Sequence, residues 1–85
     1  MTTQTTTKLD KIAKAYTNIE RRENLLVVSV KNKEFAICEN HGELSVYPTF
    51  ADGINHDGST RWEFIGVGKT GRTARTVANF IASRI

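Results

Sequence analysis

The sequence has one cysteine, one proline, one tryptophan and two histidines. Each shortage excludes something. A lone thiol, Cys38, forms no intramolecular disulfide, whereas small secreted domains lean on several. His41 and His56, even with Cys38, fall short of the four ligands of a closed zinc site. No apolar run approaches the roughly 20 residues a membrane helix needs, and Met1-Thr2-Thr3-Gln4 lacks the apolar core of a signal peptide. The expectation is a cytoplasmic protein with no membrane partner, no metal and no cofactor. With 85 residues, the chain reads as one small domain with little apolar material left over to line a deep cleft, which weighs against an enzyme.

What is present is charge, unevenly spread. The net charge is +3, but residues 1–23 and 61–85 carry an excess of Lys and Arg, while residues 24–60 carry an excess of Asp and Glu. Basic ends around an acidic middle point to a polar macromolecular partner.

Residues 1–6 read as a disordered Thr-rich tail, and residues 7–85 as a single α+β domain. Thr7, three residues before Asp10, makes a capping pattern at a helix start. Leu9, Ile12, Tyr16 and Ile19 then share one helical face, with Lys8, Lys11, Lys14, Arg21 and Arg22 on the other, so the spacing predicts a helix ending near Glu23-Asn24. Leu25–Val30 reads as a buried strand, and Asn32-Lys33 as a tight turn into a second strand, Glu34–Glu39. After a turn at Asn40-His41-Gly42 comes Leu44–Tyr47, with Pro48 marking a strand end or an edge. Ala51–Thr60 reads as the longest loop, its Asp52, Asn55 and Asp57 stabilising turns through side-chain hydrogen bonds. Arg61–Val67 is a fourth strand. A final helix follows Gly68, with Ala74, Val77, Ala78, Ile81 and Ile85 on its apolar face. Trp62, Phe64, Phe35 and Phe80 are expected in the core, with Tyr16 and Tyr47 partly exposed. The expected order is α-β-β-β-β-α, a two-layer domain with both helices on one face of an antiparallel sheet. Tyr47, Thr49, Ile65 and Cys38 are the candidates for the other face.

The segment richest in chemistry is Gly66-Val67-Gly68-Lys69-Thr70-Gly71-Arg72-Thr73-Ala74-Arg75. A nucleotide-hydrolysing P-loop is excluded, because the glycine it needs five residues before its second glycine is Glu63. What remains is a basic helix start, where free N–H groups and the helix dipole favour phosphate. This segment resembles the double-stranded RNA-binding domains. They carry a Gly-x-Gly-Lys-Ser/Thr turn and a basic cluster opening their last helix, matched here by Gly66, Gly68, Lys69, Thr70, Arg72, Ala74 and Arg75. Gly71 stands where that family has its first basic residue. The resemblance implies that Lys69, Arg72 and Arg75 grip duplex phosphates across a major groove while the first helix enters a minor groove.

Other chemistry finds less support. Asn55-His56-Asp57-Gly58 matches part of a calcium loop, yet Gly53 and Phe64 occupy ligand positions. A Cys38/His41 or His41/His56 pair lacks any third group to orient it. No catalytic residue is assigned.

Two readings follow. In the first, the chain is a non-enzymatic nucleic-acid-binding module that contacts a duplex backbone through Lys69, Thr70, Arg72 and Arg75, helped by Lys11, Lys14 and Arg22. In the second it caps a host protein or nucleoprotein machine. Small, motif-poor phage accessory proteins that block host defence are similar to it in size and composition, and its acidic middle and basic ends suit such a surface. A homodimer through an open strand edge fits either reading.

Overall fold

The computed structural model describes residues 8–85, so the Thr-rich tail and the Thr7 cap lie outside the described residues. Two helices and six strands follow one another: α1 (Lys8–Ala13), β1 (Thr17–Arg21), β2 (Leu25–Val30), β3 (Lys33–Asn40), β4 (Glu43–Ile54), β5 (Thr60–Phe64), β6 (Lys69–Gly71) and α2 (Ala74–Arg84). The strands make one sheet in the order β1-β2-β3-β4-β5, with β6 also paired to β4. All pairings are antiparallel. The α+β class and the packing of both helices on one sheet face agree with the sequence reading, although the strands number six and not four.

Local chemistry sets the meander. Lys31 and Asn32 between β2 and β3 both have positive φ, 50° and 66°. So do His41 and Gly42 between β3 and β4, at 55° and 83°. This is the backbone signature of the two-residue turns that match strand twist. The first turn sits one residue earlier than the Asn32-Lys33 pair the sequence pointed to. It sets a register in which Leu26 faces Ile37 and Val28 faces Phe35, while Ile37 faces Val46 across the next pair. On that side Leu9 and Ile12 from α1 meet Val77, Phe80 and Ile81 from α2 to complete the core. Each fully buried side chain of this kind contributes about 1.5–3 kcal/mol. Phe80 meets Phe35 edge-on, with ring centroids 6.3 Å apart.

Three expectations are corrected. The first helix stops at Ala13, and residues 17–21 form a strand. Thr17-Asn18-Ile19 are weak helix formers, and β2 would otherwise present an unpaired edge. Ile19 falls at an irregularity between Asn18 and Glu20 and is exposed. Second, Lys69–Gly71 is a short strand, and the last helix begins only at Ala74. Ala78 and Ile85, expected on its apolar face, are exposed, while Phe80 lies in the core as expected. Third, β4 runs through Pro48 and absorbs the first part of the expected loop, so that only residues 55–59 connect it to β5.

Pro48 is tolerated inside an inner strand for a specific reason. Its carbonyl accepts from the Ile65 N–H at 2.8 Å, so its nitrogen faces that same side of β4. There β5 has just ended, with Phe64 opposite Thr49, and β6 begins with Lys69 opposite Val46. The donor that proline lacks falls in the gap between two partner strands.

The sheet curls away from the helices. Four gaps of about 4.8 Å would hold β1 and β5 roughly 19 Å apart in a flat sheet, yet Trp62 Nε1–H on β5 donates to Glu20 Oε1 on β1 at 3.2 Å. Val27 and Ala36 lie on this concave face and are fully buried.

Candidate functional site

The basic segment is divided by the fold. Lys69 and Thr70 belong to β6, and the Thr70 hydroxyl lies 3.2 Å from that of Ser45 on β4. Gly68 runs against Tyr47 so closely that a Cβ there would stand 2.3 Å from the ring. A side chain on Gly71 would collide with Thr76. These glycines therefore seat the chain on the sheet and on α2, with no phosphate needed to explain them. Arg72 lies between β6 and α2, and Arg75 is the second residue of α2; both are exposed. Thr73 caps α2 with extended backbone and makes no side-chain cap bond, and no acidic residue occupies the first turn. Among the described residues Lys69, Arg72 and Arg75 form no ion pair.

Of the other three expected contacts, Arg22 is set apart. Lys8 Nζ donates to the carbonyls of Gly42 and Arg72, each at 2.5 Å, so the start of α1 is tied to the β6–α2 junction. Lys11 is exposed on α1, and Lys14 is exposed just beyond it. Arg22 belongs elsewhere. Its Nε pairs with Glu20 Oε2 at 2.5 Å, and Glu20 is held by Trp62 on the concave face, away from both helices. Arg22 therefore does not share a face with the basic residues of the two helices.

His41 and His56 lie exposed on separate turns. Cys38 is half-buried on β3, opposite Leu25 and Ser45, and burial raises its thiol pKa above the ordinary value. Among the described residues there is no group of three or more His, Cys, Asp or Glu arranged to hold a metal ion. The turn chemistry expected of Asn55 and Asp57 is present. Asp57 Oδ1 accepts from the Ser59 hydroxyl and N–H at 2.6 and 2.9 Å, which holds its carboxyl below the usual range. Asn55 Nδ2 donates to the Thr60 carbonyl at 3.3 Å. The Asp52 side chain instead pairs with Arg61 at 3.4 Å.

The surface that sequence reasoning missed is apolar. Phe50, Ile54, Phe64, Ile65 and Val67 are 44%, 75%, 52%, 50% and 79% exposed, and all five come from the end of β4, from β5 or from the segment after it. The Phe64 ring stacks on Tyr47 at 4.8 Å and 11°. Phe50 and Ile65 border a groove of about 490 Å³ floored by Phe35 and Pro48, with Lys33 and Arg84 on its rim. Strand alternation places Phe64 in the core and Ile65 on the other face in the sequence reading, and the fold reverses them. Phe64 stacks on Tyr47 on the face away from the helices, whereas Ile65 borders the groove with Phe35 and Phe50 on the helix side. The expected core places of Phe64 and, in part, Trp62 are corrected accordingly, with Phe64 exposed and Trp62 only partly buried.

Compared with protein-family models, curated proteins and solved structures, the chain finds no match. No helix among the described residues is long and apolar enough to cross a membrane.

Proposed function

We propose that this chain is a non-enzymatic protein that docks onto the surface of another protein or nucleoprotein machine through the apolar ridge of β4, β5 and the segment that follows. One observation carries this reading: five large apolar side chains, none less than 44% exposed, from a single stretch of so small a chain. By strand register Phe50 and Ile65 lie on the helix-side face and Phe64 on the opposite one, so the sheet's end is an apolar edge with two faces. Single exposures are ordinary, and it is the pairing of Phe50 with Ile65 over an apolar groove that marks an interaction surface. Burying several such groups supplies about 1.5–3 kcal/mol each, enough to begin offsetting an association cost of about 4–15 kcal/mol. An accessory protein that inhibits a host machine by occupying its surface fits this description.

A second reading is contact with nucleic-acid phosphates through Lys69, Arg72 and Arg75, supported by their freedom from ion pairs and by the α2 start without a side-chain cap. It is the weaker reading because Glu43 lies one residue beyond the Leu44–Gly71 pair, close to Arg72, and because Arg22 stands on the opposite face.

Two variants separate the readings. Affinity capture from host-cell lysate is compared for the natural chain, for Phe50→Ser/Ile65→Ser/Val67→Ser, and for Arg72→Ala/Arg75→Ala. Protein docking predicts a discrete partner lost with the first variant and kept with the second. Salt-sensitive binding of labelled duplex RNA or DNA, lost with the arginine variant alone, would instead establish the phosphate reading.

A further inference from the structure

The hairpin of β4 and β5 contains the sequence's only aspartates followed by glycine, Asp52-Gly53 and Asp57-Gly58, and no asparagine precedes a glycine. That pairing carries a chemistry of its own. The side-chain carboxyl carbon of an aspartate lies within reach of the next amide nitrogen. Glycine puts no side chain in the way and lets the backbone turn towards the attack. Both aspartates are exposed, so burial protects neither. Hydrogen bonding separates them.

Asp57 is locked. Its Oδ1 accepts from the Ser59 hydroxyl at 2.6 Å and from the Ser59 N–H at 2.9 Å. These bonds hold the carboxyl below its usual pKa and aim it forward, past Gly58. The Gly58 N–H is itself donated to the Asn55 carbonyl at 3.0 Å. Asn55 Nδ2 closes the same turn through the Ser59 hydroxyl at 3.0 Å and the Thr60 carbonyl at 3.3 Å.

Asp52 is held loosely. Its carboxylate has one side-chain partner among the described residues, Arg61 at 3.4 Å, and the two side chains are 50% and 58% exposed. Such a pair contributes little in water. In the ladder Ala51 faces Trp62 and Ile54 faces Thr60, which leaves Asp52 and Gly53 together opposite Arg61. An extra residue of this kind is left unpaired and disrupts the ladder locally. Gly53 takes a φ of 93° there, with open space around it.

We propose that Asp52-Gly53 is a site of spontaneous covalent modification, converting to isoaspartate in the folded chain, and that the turn around Asp57-Gly58 protects the second pair. In the protonated form of Asp52, the Gly53 nitrogen attacks Cγ. A C–N bond forms, and the nitrogen's proton leaves with the carboxyl hydroxyl as water, which closes a succinimide ring. Water then reopens the ring. Breaking the nitrogen's bond to the side-chain carbonyl restores aspartate. Breaking its bond to the main-chain carbonyl routes the chain through Cβ and frees the former main-chain carbonyl as a carboxylate. One water is released and one consumed, with no oxidant and no change of charge. The product lengthens the β4 backbone by a single carbon just before Ile54, and so re-aims the exposed end of the hairpin.

The test incubates the full chain at neutral pH and physiological temperature, folded and, in parallel, unfolded in guanidinium chloride. Isoaspartate at each site is quantified by peptide mapping with electron-transfer mass spectrometry, which cleaves within the lengthened backbone. The unfolded chain gives each site's intrinsic rate. Relative to that rate, folding should slow Asp57 about tenfold more than Asp52, as one charge-assisted hydrogen bond implies. Ser59→Ala should remove most of that difference. Asp52→Glu keeps the carboxylate but would need a larger ring, and it should abolish the product at that position. Equal slowing at the two sites, or greater slowing at Asp52, overturns the proposal. So does a folded chain that forms no isoaspartate at Asp52. The assay reads chemistry within the chain itself, so its outcome stands apart from the docking reading.

Discussion

Trp62 and Glu20 lie at opposite ends of the strand order, yet the indole N–H donates to the carboxylate at 3.2 Å. The same carboxylate takes the Arg22 Nε with its other oxygen. One acidic side chain therefore holds the curl of the sheet. Trp62→Phe keeps much of the apolar ring and removes the donor, so it is expected to lower unfolding free energy by about 1 kcal/mol. Arg22→Ala, which removes a more exposed partner, should cost less. Urea denaturation of both variants checks the order.

Gly68 and Gly66 should respond differently to alanine. At Gly68 the added carbon would lie 2.3 Å from the Tyr47 ring and 2.4 Å from the Val46 carbonyl, so Gly68→Ala is expected to cost about 3 kcal/mol through forced displacement. Gly66 has open space around it but a φ of 69°, and there the cost is conformational, about 1–2 kcal/mol. Equal losses in thermal unfolding would contradict the close fit at Tyr47.

Lys8 joins three elements by bonding the carbonyls of Gly42 and Arg72. Lys8→Met preserves the aliphatic stem and removes both bonds. The expected loss is about 1–2 kcal/mol, with amide exchange accelerated first around Gly42 and Arg72. Lys11→Met, at an exposed position, serves as the control and should change little.

Two groups predict opposite pH responses. The Cys38 thiol has its pKa raised by burial. Its contribution is therefore complete below the unfolded thiol pKa and is lost as pH rises towards the folded value. Cys38→Ala should flatten the alkaline fall in stability, and thiol labelling of the folded chain should lag behind that of the unfolded chain. The Asp57 carboxyl is lowered chiefly by the Ser59 hydroxyl bond and then by the Ser59 N–H. Its contribution is present above the unfolded carboxyl pKa and is lost as pH falls through the folded one. Ser59→Ala should move the Asp57 titration, followed by NMR, back upward.

The sequence made the layers legible where one signal dominated. Leu26, Val28, Phe35 and Ile37 alternate around turns, and Val77 and Ile81 recur at helical spacing, so both helices and the central hairpin could be read. Tyr16 and Ile19 misled because they continue the spacing of Leu9 and Ile12, while the pull on Thr17–Arg21 comes from the open edge of β2, which no local pattern contains. Lys69–Gly71 is too short to carry a strand signature, and its pairing to Leu44–Val46 is set 25 residues away, at the Ser45–Thr70 contact. The basic candidates were visible as residue types. That Arg22 would be held by Glu20 on the concave face depended on the curl, and so did the half-exposure of Phe64.

Pro48 has a consequence for what can be grafted onto this framework. Since its nitrogen offers no hydrogen to the gap between β5 and β6, the ladder on that side of β4 is interrupted by the chain's own chemistry. A change of length between Ile65, anchored to the Pro48 carbonyl, and Gly68, fitted against Tyr47, shifts no strand register. The segment that carries Val67 outward is thus an exchangeable insert, free to take a new recognition sequence while the sheet that presents it stays the same.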